Sequence, residues 1–458
     1  MNSILAIVAF IWGVRIILNT LSYIHLWYIK EYRFDRMLIH LKSPQGKKIL
    51  FPPWRRPPIT PKTVVVFFGA LFCLSLLFVS LPVFVVWKFA VTDILTLPVL
   101  TLLVIATKIP TFIYHRILIQ RAVAKLRAHK KMVVIGITGS YGKTSTKEIL
   151  ATLLSLKYKT LATRASKNSP IAIAELIVHN LRHDTEMFIV EMGAYKKGEI
   201  AQMCAMVHPR IGIVTAINAQ HQDLFGSIEN TVEAKYELLA GLTGRKIAIV
   251  NRDDPLVANM GKRAAREGCR VIEYSAKGIE VSQSDNGLRF SGISVRLFGR
   301  HQVSNILAAM KAAEEVGETR AEIIKACRSI RPLLHTMNPV RGINGSTFID
   351  DTFNNNPDAA MAALEYLDTK AGRKIVVFQP MIELGKFALG SHERVAKKMK
   401  STASEIILTN DSFAEVFGGS SIVLSPKAAA NRLNKIVKPG DSVLFKGKEA
   451  GRVLQLLV

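Results

Sequence analysis

The stretch Gly136-Ile-Thr-Gly-Ser-Tyr-Gly-Lys-Thr-Ser145 gathers the residue types that cradle a phosphate: glycines for a tight turn, then a lysine and two hydroxyls. It follows the β-branched run Met132-Val-Val-Ile-Gly-Ile-Thr138 and precedes a helical pattern from Lys143 to Leu156. A strand that turns on glycine into a helix N-terminus aims backbone N–H groups at an anion. Gly139, Ser140 and Gly142 would shape the loop, and Lys143 would reach the terminal phosphates of a bound nucleotide. Thr144 and Ser145 open the helix, the Thr144 hydroxyl being placed for Mg²⁺. The spacing departs from the strict Walker pattern, since Ile137 stands where the first glycine belongs and Gly136 lies one place early.

Other residues gain meaning from this loop. Glu191 closes a second apolar strand, Met187–Glu191, where an acid can hold a metal or simply cap the strand in solvent. His221 (in NAQHQDLFGS) and Lys235 (in EAKYEL) read in isolation as a structural histidine and a surface helix lysine. Asp350 and Asp351 follow a strand, at the edge where α/β proteins bind ligands, and could also form a turn before Pro357. Cys73, Cys204, Cys269 and Cys327 are scattered with no CxxC pair, which argues for reduced thiols and against a zinc ribbon or disulfide framework.

These side chains need elements to position them. From Met132 onward short buried strands alternate with helices: 132–138, 187–191, 211–216 and 246–251, then a second series at 346–350, 374–379, 405–410 and 441–447. That alternation predicts mostly parallel sheets flanked by helices. The expected fold class is α/β: N-terminal transmembrane helices, a central phosphate-loop domain over 131–335, and a smaller Rossmann-like α/β domain over 336–458. The boundary falls near Pro332–Pro339.

The first 130 residues differ in kind. Val64–Trp87 is 24 residues without a charge, long enough to cross a hydrocarbon core. Residues 4–28, interrupted by Arg15, and 94–114, containing Pro98 and Lys108, predict two further spans. Residues 1–131 carry 18 Lys/Arg against three acids, out of a net charge of +26. Basic residues crowded around apolar runs point to anionic lipid rather than to nucleic acid, for which no aromatic-interleaved basic stripe appears. Residues 29–63 hold nine Lys/Arg, whereas the link between the second and third spans holds only Lys88 and Asp93. The positive-inside bias therefore places the 29–63 loop and everything after about 115 in the cytoplasm, with the N-terminus outside. The expectation is a multi-pass protein of the inner membrane with cytoplasmic catalytic domains.

The loop and the motifs after it resemble the Mur ligases, ATP-dependent amide-bond formers of peptidoglycan biosynthesis. The resemblance runs in order through Gly136–Thr146, Glu191-Met-Gly-Ala194, His221, Lys235, Asn251-Arg-Asp-Asp-Pro255 and Gly299-Arg-His-Gln-Val-Ser-Asn305. It continues through Arg341-Gly342, Asp350–Pro357 and Lys446-Gly447, and covers about residues 131–458. It is nearest to the branch that adds D-alanyl-D-alanine to a muramoyl tripeptide. The resemblance implies that γ-phosphoryl transfer makes an acyl phosphate, which an amine then attacks. It implies catalytic roles for Lys143, His221 and Lys235. Thr144 and Glu191 would hold one Mg²⁺, while His221 and a carbamylated Lys235 would support a second. Asn305 matches an adenine contact; Arg341 and Asp351 would reach the nucleotide when the domains close.

Four departures bear on the acceptor, one being that Asn168-Ser-Pro170 only loosely follows the family's acceptor-contacting segment. The family's first domain, which grips a uridine diphosphate, is replaced by the spans. Gln302 stands for an expected asparagine, and Gln379-Pro380 precedes Met381-Ile-Glu-Leu-Gly385 where the branch has Gly-Asp. The expected partners are thus ATP, membrane lipid, a cell-wall peptide precursor, soluble or lipid-linked, and an amino acid or dipeptide. A transport or assembly ATPase is the reading from another class; Arg15 and Lys108, as the only Lys, Arg, Asp or Glu residues in the expected spans, speak against a polar translocation path.

Overall fold

The structure, a computed structural model, describes residues 2–30, 32–42, 46, 49, 52–164, 167–194, 196–218, 225–382 and 384–458. It divides into two compact units, Met1–Ile117 and Leu118–Val458.

The first unit is helical: α1 (Asn2–Ile29), α2 (Phe34–Lys42), α3 (Pro61–Ser80), α4 (Val85–Ala106) and the start of α5 (Lys108–Arg127). Three stretches are long and apolar enough to cross a membrane: Ala6–Ile29, Pro61–Ser80 and Val85–Arg127. Two expected spans are corrected. The run predicted over 64–87 ends at Ser80, because Leu81 precedes Pro82 and takes an extended conformation that closes the helix. The helix predicted over 94–114 begins at Val85, ends at Ala106, and accommodates Pro98 in its interior. Lys88 and Asp93 therefore lie inside α4 rather than in a link. Asp93 accepts hydrogen bonds from Arg15 Nε (2.7 Å) and Asn19 Nδ2 (2.9 Å) of α1, so each ionised group has its partner on the neighbouring helix. Paired charges are the usual way such groups persist in an apolar span. Around them Ile24, Trp27, Val66, Ala70, Leu100 and Val104 form the unit's apolar core.

The second unit holds two six-stranded sheets. The first comprises β1 (Val133–Thr138), β2 (Thr160–Ala162), β3 (Met187–Glu191), β4 (Ile211–Val214), β5 (Ile247–Asn251) and β6 (Arg270–Tyr274), in the order β2-β3-β1-β4-β5-β6, all parallel. The central strands are buried on both faces, which is why they read as continuous apolar runs. Strand order reverses at β1, so the loop after β1 opens at the switch point where such sheets bind ligands. Helices α6 (Lys143–Leu154), α7 (Pro170–Asn180), α8 (Glu199–Val207), α9 (Ile228–Ala240), α10 (Pro255–Arg266), α11 (Gln302–Glu315) and α12 (Arg320–Cys327) cover it.

A small antiparallel sheet, β7 (Ser282–Ser284), β8 (Gly287–Phe290) and β9 (Ile293–Val295), was not anticipated; its strands are too short to leave a pattern. The second large sheet comprises β10 (Asn338–Arg341), β11 (Thr347–Asp351), β12 (Lys374–Phe378), β13 (Glu405–Leu408), β14 (Ser421–Val423) and β15 (Ser442–Lys446). Its order is β10-β11-β15-β12-β13-β14, parallel except for β10. Helix α13 (Pro357–Asp368) follows β11, capped by the Asn356 side chain with Pro357 in the first turn.

Candidate active site

The loop between β1 and α6 is fixed by backbone geometry and by β4. Gly139 and Gly142 adopt φ of +145° and +82°. A Cβ at Gly142 would stand 2.5 Å from Asn305 Oδ1, so conformation and space both demand glycine there. Ser140 N donates to Ala216 O (2.6 Å), Thr215 Oγ1 donates to Tyr141 O (2.5 Å), and Asn218 N donates to Ser140 Oγ (3.1 Å). Gly142→Ala is expected to weaken ADP binding about tenfold or more, since a left-handed non-glycine residue costs about 1–2 kcal/mol before the clash is added. Isothermal titration of the purified protein checks this; unchanged affinity would show that the loop adapts.

Lys143 curls over the loop, donating to Gly139 O (2.6 Å) and Ser140 O (2.9 Å). Burial lowers its pKa, and the nearby Glu191 carboxylate opposes that shift. Beside the loop lies a cavity of about 270 Å³. Lys143, Thr144, Ser145, Asn305, His301, Asp351 and Lys446 all reach it, so both sheets contribute to one site.

Glu191 ends β3 opposite Ile137 of β1, which brings its carboxylate to the loop. It is buried rather than a solvated strand cap. Asn168 Nδ2 donates to its Oε1 (3.0 Å), while its Oε2 has no hydrogen-bond partner. A buried oxygen left open, next to a loop carrying the Thr144 hydroxyl, offers the hard donors that Mg²⁺ takes together with phosphate oxygens and water. Among the described residues no group of three or more His, Cys, Asp or Glu converges on one point. The donor set therefore fits a metal shared with a nucleotide, not an all-protein cage.

Sequence reading missed Lys147. It is wholly buried, with Nζ 3.6 Å from Glu191 Oε2 and 2.9 Å from Glu148 Oε1. The available signal was its place one turn after Lys143, on a helix face that packs against the sheet. Lys147→Met should destabilise the protein by about 3 kcal/mol, because it strands a buried carboxylate without its cation. Thermal unfolding in detergent checks this, an unchanged midpoint contradicting it.

Lys235, on α9, is buried rather than a surface lysine, and lies 5.8 Å from the Phe225 ring centroid. Burial, reinforced by the Lys143 charge, pulls its pKa down to about 7. His221 lies outside the described residues.

On the opposite wall, Asp351 Oδ2 accepts from Lys446 Nζ (2.5 Å) and Oδ1 from Met337 N (3.2 Å). Asp350 is engaged by His335 Nδ1 (2.8 Å) and Thr352 Oγ1 (2.7 Å). His301 faces the same cavity, its pKa pushed down to about 4 by burial. Asn305 is held by the residue that departs from the expected motif: its Nδ2 donates to Gln302 Oε1 (2.9 Å). Gln379 likewise has a local task, its Oε1 accepting from Glu449 N at the start of the last helix (2.9 Å). Arg341 is not brought to the cavity. It is exposed on β10, and antiparallel pairing sets it opposite Thr347 while Asn338 meets Asp350. Four residues of strand, about 14 Å, separate it from the Asp351 end of β11.

Two family profiles match the chain: Mur ligase middle domain over residues 137–313, and Mur ligase, glutamate ligase domain over residues 337–449. A UDP-N-acetylmuramoyl-tripeptide–D-alanyl-D-alanine ligase of Mycobacterium leprae is 29% identical over 388 residues, covering 72% of this chain and 74% of its own. Among solved structures, MurF from Acinetobacter baumannii superposes with a TM-score of 0.68 at 25% identity, over 75% of this chain and 79% of that one. MurF ligase from Thermotoga maritima in complex with ADP gives 0.67 at 26%, over 75% and 83%.

Proposed function

The chain belongs to the Mur ligase family, and from that premise we propose that it joins an amino acid or a dipeptide such as D-alanyl-D-alanine to the carboxylate of a cell-wall peptide precursor at a membrane's cytoplasmic face. As a member it is an ATP-dependent acid–amino-acid ligase that uses Mg²⁺. The observation that carries the proposal is the single cavity in which the phosphate loop of one sheet meets Asp351 and Lys446 of the other. In this reading residues 1–130 anchor the protein, 131–335 bind ATP, and 336–458 close over it.

The loop N–H groups from Gly139 to Ser145 would hold the β- and γ-phosphates, and Lys143 would swing from its loop carbonyls to the γ-phosphoryl as charge builds there. Thr144 and Glu191 would hold Mg²⁺, which when bound neutralises charge on the phosphates. Lys147 and Asn168 keep Glu191 aimed. The acceptor carboxylate would attack the γ-phosphorus, releasing ADP and leaving an acyl phosphate; the amine would then expel phosphate. Asn305 would contact adenine. Arg341 would have to approach through domain closure, since it stands away from the cavity.

The neutral Lys235 amine that burial favours is the form that takes up CO₂, and the resulting carbamate would be an anionic oxygen ligand for a second Mg²⁺ with His221. A lipid-linked acceptor is favoured by one observation. The family matches begin at residue 137, and the residues before them contribute helices long and apolar enough to cross a membrane. Mass spectrometry of soluble and lipid-linked precursors in cells depleted of this protein tests the reading. One truncated species should accumulate; an unchanged precursor pool would sink it.

A further inference from the structure

We propose that Trp54-Arg55-Arg56 forms a binding site for the diphosphate of a lipid-linked substrate. This rests on the lipid-linked reading above. From Arg36 to Lys147 the sequence contains a single acid, Asp93, and that carboxylate is engaged by Arg15 and Asn19. Among the described residues Arg55 and Arg56 enter no ion pair, so their guanidinium groups are open to an external anion.

The two arginines are not on a loose tail. They stand in Pro52-Pro-Trp-Arg-Arg-Pro-Pro58, with a proline pair on each side. Proline fixes its own φ near −65° and pushes the residue before it toward extended backbone, so little conformational freedom remains to be lost on binding. The brace is tied at several points. Arg55 N donates to Ser22 Oγ (3.2 Å), Tyr23 Oη donates to Ile49 O (2.9 Å), and Thr60 caps α3 through a reciprocal bond with Thr63. Pro57 is buried, while Trp54, Arg55 and Arg56 are exposed.

Depth follows from these ties. Ser22 lies seven residues before the end of α1 at Ile29, about 10 Å along the helix. The 28 residues of α1 extend about 42 Å, roughly a bilayer with its headgroups, so Arg55 is held near the headgroup–hydrocarbon boundary. An indole suits that depth, and guanidinium forks take phosphate oxygens in pairs. Dispersed lysines suffice for a generally anionic surface. Adjacent arginines on a rigid brace match adjacent phosphates instead.

The test uses the full chain in nanodiscs of neutral phosphatidylcholine. These are doped with a long-chain polyprenyl diphosphate or with phosphatidylglycerol at equal charge, and inorganic diphosphate is added in solution as a third arm. The wild type should prefer the polyprenyl diphosphate by about tenfold or more over the other two. Arg55→Gln with Arg56→Gln should abolish that preference, and the Arg→Lys pair should weaken it while keeping phosphatidylglycerol binding. ADP affinity reports that each variant is folded. Equal binding of both lipids, or an unaffected double Gln variant, overturns the site. The underlying reading fails separately: a wild type that turns over only a soluble UDP-linked acceptor rejects lipid linkage. A double Gln variant with wild-type KM for the lipid-linked acceptor rejects the brace alone.

Discussion

Lys143→Ala should lower ATP-dependent ligation by about a thousandfold while leaving the fold intact. The ammonium is the only side-chain cation of the loop over residues 136–145 and, in the proposed reading, the one that swings to the transferring phosphoryl group; removing one donor at developing charge costs about 10²–10³ in rate. Further loss comes from the weaker hold on ATP. Stability should move the other way. Burial disfavours the charged Lys143 in the folded protein, so a neutral alanine relieves that penalty and the melting temperature should hold or rise. Single-turnover phosphate release and thermal unfolding of the same preparation separate the two effects. A variant within tenfold of wild type would remove Lys143 from the chemistry.

The second large effect concerns Lys235. Activity in CO₂-depleted buffer should fall at least tenfold and return with bicarbonate, and Lys235→Ala should be unresponsive to bicarbonate. The expected size is that of losing the proposed metal ligand, whose charge stabilisation would be worth several kcal/mol. Stability gives an independent readout. The folded pKa of about 7 is depressed from the ordinary 10.5, so between these values the unfolded chain binds a proton that the folded chain does not. In CO₂-free buffer this group therefore adds stability as pH rises from about 7 toward 10.5, and Lys235→Met should remove that increment. A bicarbonate-independent wild type would leave Lys235 as a neutral buried amine and no more.

The central strands and the phosphate loop were legible because both signals are local. A fully buried parallel strand is a continuous apolar run, and a glycine-rich turn into a helix has few other uses. Glu191 could be placed because it ends such a strand. Lys147 was harder, since its one local signal, a place one turn after Lys143, tells burial from exposure only once the helix face that meets the sheet is known. Arg341 shows the reverse: motif order assigns it with Asp351 to the nucleotide on domain closure, and antiparallel register sets it at the opposite end of the strand pair from Asp351. The membrane helices were legible as apolar content but not in their bounds. A proline at position 82 divides one run without changing its hydropathy, and this moved Asp93 into a helix, where it meets Arg15. Pairings across helices, such as that one, depend on rotation and register that one strand of text does not carry.

The central claim is that the γ-phosphoryl group goes to a carboxylate, and one measurement bears on it most directly. Heavy oxygen is placed in the acceptor carboxylate, and the phosphate released during turnover with ATP, Mg²⁺ and D-alanyl-D-alanine is analysed by mass spectrometry. Attack by the carboxylate, followed by attack of the amine on the acyl carbon with phosphate as leaving group, carries one labelled oxygen into each phosphate. Label in the released phosphate, only when acceptor and amine are both present, is the predicted result. Unlabelled phosphate released without either would mean that water is the nucleophile, and the protein would then be an ATPase rather than a ligase.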